Sequence, residues 1–220
     1  MFRSQQAGFR PTAANELASG ISATSYFDTS ANPSSTYYYA VESFNTGGPS
    51  AASNYATATT PTSGGAISAD VLNINVGGGV VGDWVADEDF SGGTATSEGT
   101  TVNTSHVANP APQEVYQTNR FGAFTYTIPG FTAGANYIVD LHFAETFWTA
   151  PGQRQFNVFI NGNQVLKNYD ILASAGGEFI ATVESFLVTA DTTGTITLQF
   201  SPGAADNPQV NGIEIGTPNQ

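Results

Sequence analysis

The sequence predicts an all-β protein, and three observations support this. Glycine (24) and proline (11) are frequent while only 10% of the 220 residues are charged, a composition that supplies turns and short strands rather than long helices. Large apolar residues alternate with polar ones in several segments, as in half-buried strands. No segment carries an apolar stripe at helical spacing. Strands that recur at short intervals with loops between them indicate a β-sandwich.

Charge and cysteine content exclude several classes of function. The formal net charge is −13, from 5 Lys+Arg against 18 Asp+Glu, so a phosphate backbone would be repelled. Nucleic acid is therefore not an expected partner. The chain has no cysteine, which excludes disulfides, thiolate metal sites and a cysteine nucleophile. No apolar stretch approaches the roughly 20 residues of a membrane-spanning helix, and no export signal is visible at the N-terminus.

Residues 1–60 predict a first, incomplete domain. Residues 37–45 alternate as a strand does, Thr46–Pro49 interrupt the chain, and residues 52–60 predict one more strand. Residues 61–69 are poor in bulky side chains and rich in Gly, Ser and Pro, so they predict a linker.

The first sixty residues resemble the C-terminal part of a fibronectin type III domain, an immunoglobulin-like sandwich. The resemblance is carried by residues 25–29, the tyrosine-rich 36–41, 45–49 and the closing 56–61. It implies that residues 1–4 belong to strand C and that strands A and B are missing. A sandwich without two strands exposes strand edges. Either the sequence is a fragment, or a neighbouring chain supplies the missing strands; in both cases this part is a spacer.

Residues 70–217 predict a complete second domain. Its strands have apolar faces at 71–76, at 137, 139, 141 and 143, at 156, 158 and 160, and at 196, 198 and 200. Asn161-Gly162 separates two of these runs and predicts a tight hairpin, because a type I′ turn needs positive φ at both central residues. Residues 77–113 are predicted to be a long functional loop or one that wraps the sheet.

The acidic residues in that loop have two interpretations. Asp83, Asp87, Glu88 and Asp89 could hold a structural calcium ion, since hard cations take several oxygen ligands. A solvated acidic loop explains them as well. No other metal site and no cofactor is predicted.

The second domain resembles the malectin family across residues 71–215. Five motifs occur in the family's order and approximate spacing: residues 73–78, 116–121, 142–145, 156–162 and 206–210. The resemblance implies a jelly-roll-like sandwich that binds α-linked glucose oligosaccharides through aromatic side chains and one carboxylate. Carried over one residue at a time, it implies a ligand site formed by Phe121, Phe147, Trp148 and Asp206. A tyrosine that the family has near residue 99 has no counterpart, and Phe stands for Tyr at 121 and 147.

The residues themselves give a partly independent argument for this site. Adjacent strand residues point to opposite faces, so Phe147 and Trp148 cannot both enter one core. The alternatives are that Phe147 closes the core with Trp148 on a loop, that Phe121 is a core residue, and that Asp206 caps a turn.

Arg120 and Glu145 are predicted to support the site rather than to touch the ligand. A buried pair between Arg120 and a carboxylate would fix the loop that bears Phe121. Glu145 and Asp206 are also the one pair that could serve a glycosidase, which needs two carboxylates across a cleft.

Catalysis is not expected. His106 and His142 have no clustered second histidine or nucleophile elbow beside them, and each is predicted to be a surface or hydrogen-bonded histidine. The sequence thus predicts a non-catalytic carbohydrate-binding module for glucose-containing sugars, the accessory part of a larger extracellular or cell-surface protein. The alternative is a structural or adhesive subunit whose first domain is completed by a neighbouring chain.

Overall fold

A computed structural model describes residues 1–21, 26, 28, 31, 35–45, 47–59 and 67–218, with the backbone alone for 67–70. The chain divides into two compact units, Met1–Thr62 and Ser63–Gln220. Residues 61–66 of the predicted linker, and most of the motif at 25–29, lie outside the described residues. Residues 67–69, assigned to the linker from the sequence, belong to a strand.

The described residues of the first unit form five short strands and one 3-10 turn at Ala13–Asn15. The strands are β1 (Phe2–Ser4), β2 (Thr36–Ala40), β3 (Phe44–Asn45), β4 (Gly48–Pro49) and β5 (Ala56–Thr59). A three-stranded antiparallel sheet has the order β1-β2-β5, and β3 pairs with β4 as a separate hairpin.

The predicted strand over 37–45 is wrong in its length. β2 ends at Ala40, and Phe44 then starts the β3–β4 hairpin, whose turn is held by a hydrogen bond from Gly47 N to Asn45 Oδ1 at 2.7 Å. The predicted strand over 52–60 is confirmed for Ala56–Thr59. The fibronectin type III resemblance of this unit stays a prediction.

The two outer strands of the first sheet differ in how their edges are covered. Beside β1, Phe2 bridges Glu16, and Met1 O accepts hydrogen bonds from Leu17 N and Ala18 N. β5 pairs with β2 alone in the described part of the chain, and its four residues are all exposed. Among the described residues, the far edge of β5 is therefore unpaired, and the missing strands expected from the sequence stay a prediction.

Residues 67–218, the described part of the second unit, form eleven strands and two one-turn helices, α1 (Gln113–Tyr116) and α2 (Ile171–Ala175). Neither has the length or hydropathy needed to cross a membrane, nor does any other helix in the part of the chain described. The strands are β6 (Ile67–Asn75), β7 (Val85–Ala86), β8 (Phe90–Ser97), β9 (Thr118–Ile128), β10 (Asn136–Ala144), β11 (Gln155–Ile160), β12 (Asn163–Tyr169), β13 (Ala181–Thr189), β14 (Ile196–Ala205), β15 (Gln209–Val210) and β16 (Gly212–Pro218).

These strands form two sheets with a common core, which confirms the all-β prediction. One has the order β13-β10-β16-β6-β7; the other has the order β12-β11-β14-β9-β15, with β8 paired to β9. The alternation puts Leu141 and Phe143 of the first sheet and Phe156 and Leu198 of the second into one core cluster, each 0% exposed. The jelly-roll connectivity stays a prediction.

The hairpin at Asn161-Gly162 is confirmed. Asn161 has φ 48° and Gly162 φ 79°, as a type I′ turn requires, and Ile160 pairs with Asn163 across it. The turn sets the register of β11, so that its even-numbered residues face the core.

The predicted loop over 77–113 is only partly a loop. It contains β7 and β8, and β8 pairs with β9 over residues 90–97. β8 was missed because its side chains after Phe90 are small and the whole strand is exposed, so no apolar alternation marks it. The remainder covers the outer face of the five-stranded sheet, where Trp84, Val102 and Val107 pack in one cluster with Ala181 and Val183.

A row of buried polar groups lies on that outer face. The His142 ring is 0% exposed, accepts or donates to the Tyr116 hydroxyl at 2.9 Å through Nδ1, and contacts Glu214 Oε2 at 3.1 Å through Nε2. Asp140 lies opposite Glu214 on one side and Ser185 on the other. Burial raises the pKa of Asp140 to about 6. His142 is a hydrogen-bonded core histidine, as one of its two interpretations predicted, and His106 is exposed.

Candidate functional site

The candidate site lies at the end of the second unit where β10 and β14 finish and β11 begins. Glu145 follows β10, Arg154 precedes β11 and Asp206 follows β14. Because Gln155 pairs with Ala205 between β11 and β14, Arg154 and Asp206 are adjacent across the sheet. The loop of residues 146–153 bears the two neighbouring aromatics.

Glu145 and Arg154 form a buried ion pair beneath this loop. Glu145 is 0% exposed and the Arg154 side chain 3%. Arg154 Nε donates to Glu145 Oε2 at 2.6 Å, and Nη2 donates to Oε1 at 3.4 Å, the forked geometry that makes such pairs strong. Glu145 Oε1 also accepts the backbone N–H groups of Phe147 and Trp148 at 3.1 and 3.2 Å. One carboxylate therefore fixes the backbone of both aromatic residues.

Arg154 extends the network to the other side of the site. Its Nη1 donates to the carbonyl oxygen of Asn207 at 2.7 Å and lies 3.1 Å from Asp206 Oδ2. The guanidinium carbon lies 5.2 Å from the centroid of the Phe121 ring, within the range of a cation–π contact. Arg154 thus joins Glu145, Asp206 and Phe121.

The sequence analysis missed Arg154, although a signal for it exists. The core-facing positions of β11 are 156, 158 and 160, and two residues further back this alternation reaches 154. A positive charge on the inner side of a predicted strand must be paired, and the chain has only five Lys and Arg.

The two neighbouring aromatics stand at right angles to each other at the surface. Phe147 is 71% exposed, Trp148 is half-buried, and their ring centroids are 4.9 Å apart at 85°. Trp148 Nε1 donates to Asp206 Oδ2 at 2.7 Å. The core alternative for Phe147 is therefore wrong, and at least one of the two adjacent aromatics is exposed, as predicted.

The four residues predicted as ligand contacts are brought together. Trp148 contacts Phe147 and Asp206, Asp206 contacts Arg154, and Arg154 faces Phe121. Phe121 is half-buried on β9 opposite Gln209 of β15, not on a loop as the sequence analysis supposed. Asp206 is exposed and has φ 53°, a left-handed conformation that aspartate tolerates.

Of the two residues predicted as support, only Glu145 belongs to this network. Arg120 donates through Nη2 to Asp87 Oδ2 and through Nη1 to Gly92 O at 3.0 Å, and its guanidinium lies 3.3 Å from the Phe90 ring centroid. The prediction of a buried Arg120–carboxylate pair is thus confirmed, with side chains 6% and 7% exposed. It anchors β8 and the segment before it, not a loop bearing Phe121.

The same contacts bear on the calcium interpretation. Asp87 accepts from both Arg120 and the Tyr126 hydroxyl, the latter at 2.6 Å. Both carboxylate oxygens of Asp87, one of the four acidic residues, therefore already accept hydrogen bonds from the protein. Across the described ranges no three His, Cys, Asp or Glu residues cluster in a way that suits a metal ion.

Buried amides tie the strand ends behind the site together. Gln209 Nε2 donates to Ala144 O at 2.8 Å. Asn211 accepts from Ala144 N at 2.8 Å and donates to the carbonyls of Tyr116 and Thr118 at 3.0 and 2.8 Å. Because each buried amide is satisfied by backbone, the site rests on a rigid support.

The arrangement suits binding better than hydrolysis. A glycosidase needs two carboxyl groups facing a cleft, one of them free to give a proton. Glu145 is sealed from solvent and holds Arg154 with both oxygens. Asp206 is accessible, and both contacts to its carboxylate involve Oδ2; within the described residues Oδ1 accepts no hydrogen bond.

Comparisons with known proteins give a consistent result. The family model described as the malectin domain matches residues 70–213. Malectin-B of Xenopus laevis is 32% identical over 123 residues, which cover 49% of this chain and 44% of that protein. Human malectin is 32% identical over the same length, covering 49% of this chain and 41% of that protein. A probable receptor-like protein kinase of Arabidopsis thaliana is 31% identical over 141 residues, 54% of this chain and 17% of that protein.

Solved structures show the same fold. The ANX2 ectodomain from Arabidopsis thaliana has a TM-score of 0.61 at 24% identity, with 69% of this chain and 50% of that chain covered. FER, a plant receptor-like kinase solved in complex with the peptide RALF23 and LLG2, has a TM-score of 0.60 at 19% identity, with 73% and 58% covered. The chain spans less than half the length of the curated relatives named above.

Proposed function

The chain belongs to the malectin domain family, and we propose that its second unit binds a neutral, glucose-containing oligosaccharide at the surface formed by Phe121, Phe147, Trp148 and Asp206. The proposal joins two features of the site. Two aromatic rings are held at the surface, and beside them lies a carboxylate with one oxygen available.

The observation that carries the proposal is the orientation of Asp206. Trp148 Nε1 and Arg154 Nη1 both reach Oδ2, so the carboxylate is held in one position with Oδ1 open. A carboxylate oxygen accepts strong hydrogen bonds from hydroxyl groups. The faces of Trp148 and Phe147 offer apolar area to the C–H groups of a pyranose, and the T-shaped pair presents two such faces at different angles.

Charge favours a neutral sugar over an acidic one. At the site, Arg154 is balanced by buried Glu145, so Asp206 adds one further negative charge, and the whole chain has a net charge of −13. Uronic acids and sulfated sugars would be repelled. We propose a non-catalytic role in an extracellular or cell-surface protein, where binding would raise the local concentration of attached domains near a polysaccharide.

Calorimetric titration of the 220-residue chain tests this proposal. The ligands are glucose, maltose, nigerose and longer α- and β-glucans, with glucuronic acid as the acidic comparison. We expect heat with neutral glucose oligosaccharides and none with the acid. Trp148→Ala should abolish binding, whereas Phe159→Ala, which removes a half-buried ring further along β11, should not. No heat with any neutral sugar would contradict the proposal.

A second candidate function is contact with protein through the first unit. Its specific basis is the exposed, singly paired strand β5, which is an edge on which another strand can add. Size-exclusion chromatography with light scattering over a range of concentrations tests this candidate for self-association. Thr57→Pro, which removes a strand N–H, is the matched variant; a monomer at every concentration counts against pairing between copies.

A further inference from the structure

Phe179 has an unusual backbone conformation for its type. Five non-glycine residues in the described part of the chain have positive φ; four of them are Asp or Asn, and the fifth is Phe179 at φ 54°. Short polar side chains tolerate the left-handed region, whereas a bulky residue there is an outlier held by its surroundings. Such strain persists where the structure over-determines it and clusters at functional sites.

Backbone hydrogen bonds hold Phe179 in this conformation, and they lead to the candidate site. Phe179 N donates to the carbonyl of Glu145 at 2.9 Å, and Phe179 O accepts from Asn103 N at 2.7 Å. Asn103 O in turn accepts from Ala181 N at 2.8 Å. The backbone of Phe179 is therefore held on one side by Asn103, in the segment between β8 and α1, and on the other side by Glu145. The carboxylate of Glu145 is the group that fixes Phe147 and Trp148.

Core packing does not explain why a phenylalanine occupies this position. Phe179 is half-buried, and it is neither a member of the two core clusters nor one of the partly buried residues packed against them. Within the described ranges it forms no close pair with another aromatic ring, unlike Phe147 with Trp148. A glycine or asparagine would meet the backbone requirement with less strain.

The neighbouring loop supplies no ring on this side of the site. Residues 97–103 are Ser, Glu, Gly, Thr, Thr, Val and Asn. Phe179 is thus an aromatic residue whose backbone is hydrogen-bonded to Glu145, at the start of the loop that bears Phe147 and Trp148, and to Asn103.

We propose that Phe179 is a specificity-determining residue, a fourth aromatic contact of the site, which packs on a second or third sugar unit of an oligosaccharide whose first unit lies on Trp148 and Asp206. The proposal rests on the proposed carbohydrate function. It explains why a bulky ring is kept at a strained position: the strain costs stability, and the ring lengthens the binding surface.

Two substitutions test the effect of the phenyl ring separately from the effect of the strained backbone. Phe179→Asn removes the ring and suits positive φ, and Phe179→Tyr keeps a ring in the same conformation. For Phe179→Asn we expect the unfolding midpoint of the second unit to rise by about 2–4 °C, because strain is relieved. Affinity for maltotetraose should fall about tenfold, while affinity for maltose stays within about twofold. Phe179→Tyr should bind both sugars as the parent does.

The outcomes distinguish this inference from the function on which it rests. A parent chain that binds no sugar overturns both. If the parent and Phe179→Asn bind maltotetraose equally, the function stands and the contact at Phe179 is wrong. A fall in the unfolding midpoint of Phe179→Asn would show that the ring serves packing, and this also overturns the inference, whatever the sugar data.

Discussion

Trp148 and Asp206 are 58 residues apart in the sequence, and the indole Nε1 of one donates to Oδ2 of the other at 2.7 Å. The contact joins the loop after β10 to the end of β14. Arg154 reaches the same oxygen at 3.1 Å. Two donors on one oxygen orient the carboxylate, and they leave the second oxygen to a ligand. This relationship gives a direct test of what the indole contributes.

Trp148→Phe should weaken sugar binding less than Trp148→Ala does. The variant keeps an aromatic face but loses the N–H that orients Asp206, and a net hydrogen bond contributes about 1 kcal/mol, or roughly fivefold in affinity. Calorimetry with maltose measures the difference. Equal affinity of Trp148→Phe and the parent would show that the orientation of Asp206 does not depend on the indole.

Arg154→Met should destabilise the second unit by about 3–5 kcal/mol, because Glu145 is left as a buried and unpaired charge. Urea unfolding followed by circular dichroism gives the free energy of unfolding. Lys167→Met removes a positive charge from an exposed position and is the matched control, with an expected change below about 0.5 kcal/mol.

The double variant Glu145→Gln/Arg154→Met tests why Arg154→Met is destabilised. Once the unpaired charge is removed, we expect it to be more stable than Arg154→Met alone. If the double variant is the less stable of the two, the loss comes from the packing of the arginine side chain and not from the buried carboxylate.

Asp140 should make the second unit more stable in mild acid than at neutral pH. Burial is the largest cause that raises its pKa to about 6 from 3.8, and the charge of Glu214 adds to it, while the neighbouring Ser185 and His142 act the other way. The folded state therefore binds the proton more readily than the unfolded state. This contribution is present in full below the unfolded pKa and is lost as the pH rises through about 6.

Asp140→Asn isolates that contribution. Relative to the parent, the variant should gain about 2 kcal/mol in the free energy of unfolding between about pH 4 and pH 7.5, from a shift of roughly two pKa units. Urea titrations at a series of pH values measure it. Glu178→Gln, at an exposed carboxylate, is the control. A difference that does not change with pH would contradict the raised pKa.

Gly162→Ala should destabilise the second unit by about 1–2 kcal/mol through its backbone alone. Gly162 has φ 79°, and an added Cβ would meet no atom within 4 Å, so no steric clash contributes. Gly79→Ala also enters open space but has no positive φ, and it should be neutral or stabilising by up to about 1 kcal/mol. Thermal unfolding of both variants checks the pair; equal effects would rule out the turn conformation as the cause.

Local patterns were enough to predict most strands of the second unit. The faces containing Leu141, Phe156 and Leu198 follow from alternation with a period of two, which each segment carries in its own residues. The Asn161-Gly162 turn is likewise a local property. β8 was missed because its exposed residues, which are small after Phe90, have no such pattern. Its pairing with β9 depends on a partner more than twenty residues away along the chain.

The sequence by itself determined the all-β class, the core-facing residues of the strands and the exposure of one of two adjacent aromatics, because these depend on side chains a few residues apart. Only the tertiary structure decided that Arg154, not Arg120, pairs with Glu145, that Asp206 meets Trp148, and that Phe179 lies beside the same loop. Each of these contacts depends on where separate strands end relative to one another. That is set by the register of the whole sandwich, which no single segment encodes.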